Sequence, residues 1–244
     1  MELKNLQLSM PWFFPDDEEA YDAWTWDNEL LDLHNGQPTI DEIFKLLVSP
    51  LQSLRISASH ARGIPVRILN NLRELVIVWV IGDEDENIGL DLIFRHATFL
   101  QSLTMVGLVF PGLLTSLLPS SSGALPHLNS FRFSSESEFD TAFDHADLNC
   151  LRDFLSNRNH LRRLHLRLPL IGSQRFDLWD IIQGLPALEV LGLHTGASYF
   201  SVDELQALLE RLPLNLRAFN FAFCYEASSL VPFVIPFLCQ KYNN

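Results

Sequence analysis

A short apolar signature returns eight times along this chain, and it constrains the fold more than any other feature of the sequence. The signature is a leucine, two residues, a large apolar residue, one residue and another large apolar residue. Its copies are Leu3-Leu6-Leu8, Leu51-Leu54-Ile56, Leu72-Leu75-Ile77, Leu100-Leu103-Met105, Leu128-Phe131-Phe133, Leu161-Leu164-Leu166, Leu188-Leu191-Leu193 and Leu216-Phe219-Phe221. Such self-similarity is typical of a solenoid, in which each unit buries its apolar face by stacking on its neighbours.

The spacing of the copies indicates the type of solenoid. Successive copies begin 48, 21, 28, 28, 33, 27 and 28 residues apart. Leucine-rich repeats have periods of about 20–29 residues, so five of the seven gaps fit directly. The gap of 33 contains a polar insert over residues 134–147. The gap of 48 has two interpretations. It contains either a degenerate (worn) ninth repeat with Leu31 and Leu33 as its core pair, or a long insert with a single helix.

The connecting segments favour helices outside a parallel sheet. Capping boxes at residues 39–42 and 201–204 predict the starts of two helices. Apolar residues at helical spacing predict further helices over 110–118, 148–155 and 176–182. The connector over residues 57–71 is short enough for only a turn or so. We therefore predict an α/β leucine-rich-repeat solenoid, with a curved parallel β-sheet on its concave face and helices and loops on its convex face. The whole chain, residues 1–244, forms one domain in this interpretation, with residues 224–244 as a C-terminal cap.

Composition narrows the classes of partner. The net charge is −13, which argues against general nucleic-acid binding because phosphate groups require a basic surface. The first repeat begins at the first residues, which predicts no signal peptide, and no apolar stretch is long enough to span a membrane. The three cysteines, Cys150, Cys224 and Cys239, show no paired spacing. The absence of paired spacing predicts a reducing compartment, cytoplasmic or nuclear. The protein is also expected to be monomeric by itself.

Strand alternation predicts which side chains line the concave face. The nine strands, the worn repeat included, contribute three concave-face positions each, 27 in all. Four of these are arginines and two are acidic, Asp32 and Glu74, so the predicted face has a positive net charge although the chain is acidic. Most of the positive and imidazole groups fall in three adjacent strands, and three valines flank them. The predicted partner-binding residues are Arg132, Arg163, His165, Arg167, His194, Val76, Val78 and Val106.

This patch has two interpretations. It binds an acidic or phosphorylated protein segment, since guanidinium groups pair well with carboxylate and phosphate, and the valines and possible rim residue Trp79 add apolar contact. Alternatively, the arginines are solvated or are neutralised by acidic residues of the polar insert, namely Glu136, Glu138 and Asp140. A metal site at His165 and His194 is not expected, because the neighbouring arginines repel a cation. The run 144–147 is interpreted as a solvated loop and helix cap.

No nucleophile, base or metal constellation is visible, so we predict a non-catalytic protein without a cofactor. Cys150 lies within a helical pattern and is interpreted as a packing residue. An acidic and aromatic segment over residues 12–26 is interpreted as core packing, with partner binding as its alternative. The competing classes are an enzyme on a repeat scaffold and a fragment without a ligand of its own.

The repeats also carry a family resemblance. Leu125-Pro126-His127-Leu128, Leu185-Pro186-Ala187-Leu188 and Leu212-Pro213-Leu214-Asn215-Leu216 resemble the irregular leucine-rich repeats of fungal F-box proteins. The resemblance covers nearly the whole chain, although the motif is generic. It implies substrate recognition in ubiquitin-dependent protein turnover. A recognisable F-box does not precede the first repeat, and the Asn or Cys that follows each strand in regular repeats is missing.

Overall fold

One parallel sheet of eight strands organises the structure, in the order β1 to β8 along the chain. The computed structural model describes residues 4–7, 40–47, 50–79, 89–107, 124–135, 145–156, 158–168, 174–194 and 202–222. Each strand pairs in parallel with the next. The strands are β1 Asn5–Gln7, β2 Ser53–Ser57, β3 Glu74–Val78, β4 Ser102–Gly107, β5 Ser130–Ser135, β6 Arg163–Arg167, β7 Val190–His194 and β8 Ala218–Ala222.

Helices occupy the connections between these strands. They are α1 Ile40–Leu46, α2 Ala58–Ala61, α3 Val66–Leu69, α4 Leu90–His96, α5 His145–Leu155, α6 Gln174–Gln183 and α7 Val202–Arg211. Two of them, α1 and α7, begin at the predicted capping boxes. The connector after β2 contains two four-residue helices, slightly more than the turn or so expected, and Gly63 and Pro65 lie between them.

The repeated apolar signature forms the core between the sheet and the helices. In β2 to β7, both signature positions of every strand are at most 2% exposed. The leucine that opens each of these copies is equally buried, and Leu216 before β8 is 6% exposed. At the two ends of the sheet, Leu6, Phe219 and Phe221 are half-buried. The signature therefore specifies one continuous core rather than several small ones.

Two backbone hydrogen-bond patterns repeat from unit to unit. The residue before each strand uses its carbonyl to accept two N–H groups of the next repeat. Arg162 O, for example, accepts from Glu189 N at 2.8 Å and Val190 N at 2.9 Å. The leucine that opens a signature donates its N–H three residues back, as in Leu128 N to Leu125 O at 3.1 Å. These bonds satisfy backbone groups between units and fix the register of each strand on the next at its N-terminal end.

The strand order, the register and the helical side together define the predicted α/β leucine-rich-repeat solenoid. The expected strand around Leu31 and Leu33 lies outside the described residues, as do the expected helix over 110–118 and the expected cap over 224–244. Among the described residues, β1 pairs directly with β2, Asn5 with Ser53, and no strand lies between them.

Candidate functional site

The side of the sheet opposite the core carries a separate set of side chains, which we call the open face. Within each strand, open-face residues alternate with core residues, and the parallel register aligns them into three rows across the sheet. The middle row contains Gln7, Arg55, Val76, Thr104, Arg132, His165, Gly192 and Asn220. This register agrees with the positions that the sequence predicts for the open face.

Five predicted site residues come together on β5, β6 and β7. We call Arg132, Arg163, His165, Arg167 and His194 the arginine–histidine cluster. Arg132 pairs with His165 across β5 and β6, and Arg167 pairs with His194 across β6 and β7. Paired residues of neighbouring strands lie about 4.8 Å apart, and alternate residues of one strand about 6.6 Å apart. The cluster is therefore a single compact surface.

The cluster concentrates arginine and histidine side chains on a face that has few carboxylates among its described residues. Arg132, Arg163 and Arg167 are exposed. The described open face contains one carboxylate, that of Glu74 on β3, which accepts a hydrogen bond from Ser53 at 3.1 Å. In the described part of the chain, neither Arg132 nor Arg163 has an ion-pair partner. The acidic residues expected to neutralise the cluster, Glu136, Glu138 and Asp140, lie outside the described residues.

The ring of His165 lies at the centre of the cluster and covers Gly192 on the next strand. A Cβ atom at Gly192 would lie 2.1 Å from His165 Nδ1 and 2.5 Å from Cε1, well inside van der Waals contact. Gly192 is consequently buried, although its position in the register belongs to the open face. The absence of a side chain at residue 192 lets the imidazole occupy the space that a Cβ atom would fill.

Both imidazoles are held toward their neutral form. Burial lowers the pKa of His165 below its ordinary value of 6.5, and the charges of Arg132 and His194 lower it further. Burial and the charge of Arg167 lower the pKa of His194, against a backbone hydrogen bond that raises it. The folded chain therefore binds fewer protons at these two groups than the unfolded chain does. Their contribution lowers the free energy of unfolding as the pH falls through about 6.5.

The apolar part of the predicted site is smaller than expected. Val76 and Val106 are half-buried on the open face. Val78 is only 8% exposed and Trp79 only 2%, so a partner could touch little of either side chain. The neighbouring open-face residue Ser134 is 3% exposed. Trp79 therefore belongs to the core, and the accessible valines reduce to two.

Other candidate groups do not assemble into a chemical centre among the described residues. No set of three His, Cys, Asp or Glu residues there could hold a metal ion. Cys150 is half-buried within α5, as its helical pattern predicts. Asp147 lies in the first turn of the same helix and is fully buried, whereas the sequence interpretation of this run was a solvated loop and helix cap. Within the described ranges, no helix is long and apolar enough to cross a membrane.

One polar pair was missed by sequence reasoning. Ser57 Oγ lies 2.6 Å from His60 Nδ1, and Ser59 Oγ lies 3.2 Å from the same nitrogen. The only available signal was the short spacing of these residues after β2. A hydrogen-bonded serine and histidine are two parts of a hydrolytic triad, but no described carboxylate orients the His60 ring. The pair instead links the end of β2 to α2.

The comparisons with known proteins add little to this description. No family model and no curated protein matches the sequence. Among solved structures, the chain is similar to the tropomodulin C-terminal domain of Caenorhabditis elegans, at 14% sequence identity and a TM-score of 0.36. The match covers 66% of this chain and 82% of that one. A likeness this weak carries no argument, so the fold assignment depends on this chain's own strand order, and the expected relation to F-box proteins stays a prediction.

The contact between His165 and Gly192 leads to a first testable prediction. We expect Gly192→Ala to raise the pKa of His165 toward 6.5, because the new methyl group displaces the ring into solvent and away from its buried position. An NMR titration of the His165 ring signals would measure this change. Gly184→Ala at the end of α6 is the control, since its Cβ would be no closer than 3.3 Å to Ile181 O. An unchanged His165 titration in Gly192→Ala would contradict the prediction.

Proposed function

We propose that this protein is a non-catalytic interaction module that binds an anionic segment of a protein partner at the arginine–histidine cluster. A solenoid of this kind presents one extended sheet surface, and such surfaces are commonly used for binding. The core is formed by the apolar signature together with apolar residues of the helices, so packing there does not require the exposed polar residues of the open face. They are available for a partner.

The reversal of charge on the open face carries this proposal. The chain has a net charge of −13, yet the described open-face positions contain four arginines and one glutamate. Three of these arginines belong to the cluster. Like charges at this spacing are unfavourable unless water, counter-ions or an acidic partner offsets them. Guanidinium groups form bidentate hydrogen bonds with carboxylate and phosphate, so either group on a partner would relieve the repulsion.

The surroundings of the cluster favour a bound protein segment over a small ion alone. Val76 and Val106 lie on one side, and Val190, Ala218 and Ala222 lie on the other, so uncharged surface continues across the sheet from the charged centre. Val190 is 37% exposed. A protein segment with one anionic group between apolar residues would therefore match this face, because the charged cluster lies between two uncharged regions of the sheet.

The experiment compares two double variants with the intact protein in a pull-down. We expect Arg132→Ser with Arg163→Ser to lose the captured partner, because the two exposed guanidinium groups would supply its charged hydrogen bonds. At about 1.5–3 kcal/mol for a hydrogen bond to a charged group, each arginine is worth at least roughly tenfold in affinity. Arg62→Ser with Arg152→Ser is the matched control, since both arginines are exposed, lie outside the open face, and give the same change in net charge.

The outcomes of this pull-down separate the interpretations. The proposal would be overturned if the double variant Arg132→Ser with Arg163→Ser captured the same partners as the intact protein and the control variant. Treating the lysate with phosphatase beforehand distinguishes the two sources of anionic charge, because only a phosphorylated partner would then be lost. The proposed role in protein turnover depends on the resemblance to fungal F-box proteins. It requires subunits of a ubiquitin-ligase core in the same precipitate, and their absence would remove that role without affecting the binding site.

A further inference from the structure

We infer that His165 acts as a proton-linked contact at this site, so that binding of an anionic partner takes up a proton on the imidazole. This inference depends on the proposed function, because it concerns the regulation of the same site. It assigns to His165 a role that the arginines cannot have, since guanidinium groups stay charged throughout the accessible pH range.

The position of His165 is the first support. Arg163 and Arg167 lie two residues before and after it on β6, and Arg132 is its partner on β5. On β7, its register partner is Gly192, and His194 is the next open-face residue. These four groups are the titratable and charged side chains that face the ring from its own strand and from both neighbouring strands. Because His165 lies between Arg163 and Arg167 on β6, an anion held by these two arginines would lie beside the imidazole.

The second support is the absence of a compensating charge in the described structure. The remaining open-face residues of β5 and β7, Ser130, Ser134 and Val190, are neutral. The next strands present Thr104 and Asn220 in the row of His165. None of these residues is a carboxylate, so among the described residues a proton on His165 would meet only positive neighbours. A bound anion would reverse this balance and favour the charged ring.

The third support is the fixed placement of the ring. His165 lies across Gly192, with its Nδ1 edge against the backbone of β7, because residue 192 has no side chain. The ring is half-buried there, and His165 has no hydrogen-bond or ion-pair partner among the described residues. A ring held in this way loses little conformational entropy when it makes a contact, so protonation converts directly into binding free energy.

The expected behaviour is a pH-dependent affinity. At pH 8 the imidazole is neutral and the arginines alone hold the anion. Between the pKa of the free ring and the higher pKa of the bound ring, one proton is taken up with each anion, and the affinity rises by up to about tenfold for each pH unit of acidification. The uptake of a proton is itself measurable, because the observed heat of binding then depends on the ionisation enthalpy of the buffer.

The experiment uses the intact chain and two anions whose charge stays constant between pH 6 and 8, namely sulfate and a glutamate-rich peptide. Calorimetry in two buffers gives the affinity and the number of protons taken up. We expect the affinity to rise from pH 8 to pH 6 in the wild type, whereas His165→Gln binds as the wild type does at pH 8 and lacks the rise. His160→Gln, which changes an exposed histidine outside the open face, should retain the rise.

The remaining outcomes distinguish this inference from the proposed function. An affinity that does not change with pH, but is lost in the variant with Arg132→Ser and Arg163→Ser, would overturn the role of His165 and support the binding site. A rise that persists in His165→Gln would also overturn it. Binding that survives in the double arginine variant at every pH, or no binding at all, would reject the site itself and the inference with it.

Discussion

Replacing Arg158 with methionine is expected to lower the free energy of unfolding by about 3–5 kcal/mol, because three carbonyl groups would lose a charged donor in the interior. The side chain is 7% exposed. It donates to Phe154 O at 2.6 Å, to Leu125 O at 3.0 Å and to Ala124 O at 2.9 Å. Its guanidinium carbon lies 4.1 Å from the centre of the Phe154 ring.

These bonds join the end of α5 to the turn before β5. Leu125 has a φ of 52°, a left-handed conformation that costs roughly 1–2 kcal/mol for a residue with a side chain. Arg158 holds the carbonyl of this residue, so the guanidinium stabilises a strained turn as well as a helix end. Burial lowers the pKa of Arg158 to about 10, and the group therefore remains charged at neutral pH.

Urea denaturation would measure the effect, with Arg152→Met as the control. Arg152 lies within α5 and is exposed, and its guanidinium donates to Asn149 three residues earlier, so its loss should cost no more than about 0.5 kcal/mol. Arg158→Lys should fall between the two, because an ammonium keeps the charge but cannot span all three carbonyls. Equal losses for Arg158→Met and Arg152→Met would show that the buried network contributes nothing.

Substituting Gly107 with alanine is the second change with a large expected effect, a loss of about 3 kcal/mol or more from backbone strain and overpacking. Gly107 ends β4 with a φ of 138°, a region that only glycine occupies readily. A Cβ atom there would lie 2.3 Å from Trp79 O and 2.8 Å from Trp79 Cβ. Trp79 is 2% exposed, and its N–H donates to Val106 O at 2.8 Å, so the neighbouring backbone is already held in place.

Gly89→Ala provides the matched comparison for this substitution. Gly89 has a φ of 70°, and its Cβ would lie 3.0 Å from Arg62 Cα. A residue with a side chain is less unfavourable at this φ than at the φ of Gly107, so we expect the free energy of unfolding to fall by about 1–2 kcal/mol. Thermal denaturation of the two variants should therefore place Gly107→Ala well below Gly89→Ala. The reverse order would mean that the strand end near Trp79 relaxes more easily than its contacts suggest.

Most of the sheet could be predicted from local pattern. The alternation in Leu103-Thr104-Met105 is enough to assign Thr104 to one face and its neighbours to the other, because successive side chains of a strand point to opposite sides. The helix α4 was not predicted, although Leu90, Ile93 and Phe94 have helical spacing.

The sequence predicted which residues lie on the face of the candidate site, but not their burial or their contacts. Alternation places Val78 and Ser134 on the open face, yet both are buried, because exposure depends on what packs over a residue and not on its own strand. Similarly, no local pattern connects His165 with Gly192, which are separated by 27 positions in the chain and become neighbours only through the pairing of β6 with β7.

By itself, the sequence determined the solenoid, the strands and the face on which each strand residue lies, because an apolar repeat can bury its surface only by stacking at a fixed register. Only the tertiary structure decided which charges are compensated, which valines remain accessible, and how Arg158 and His165 are held. Those properties arise from contacts between different repeats. Their distances and burial follow from the packing of the whole sheet, and no period in the sequence encodes them.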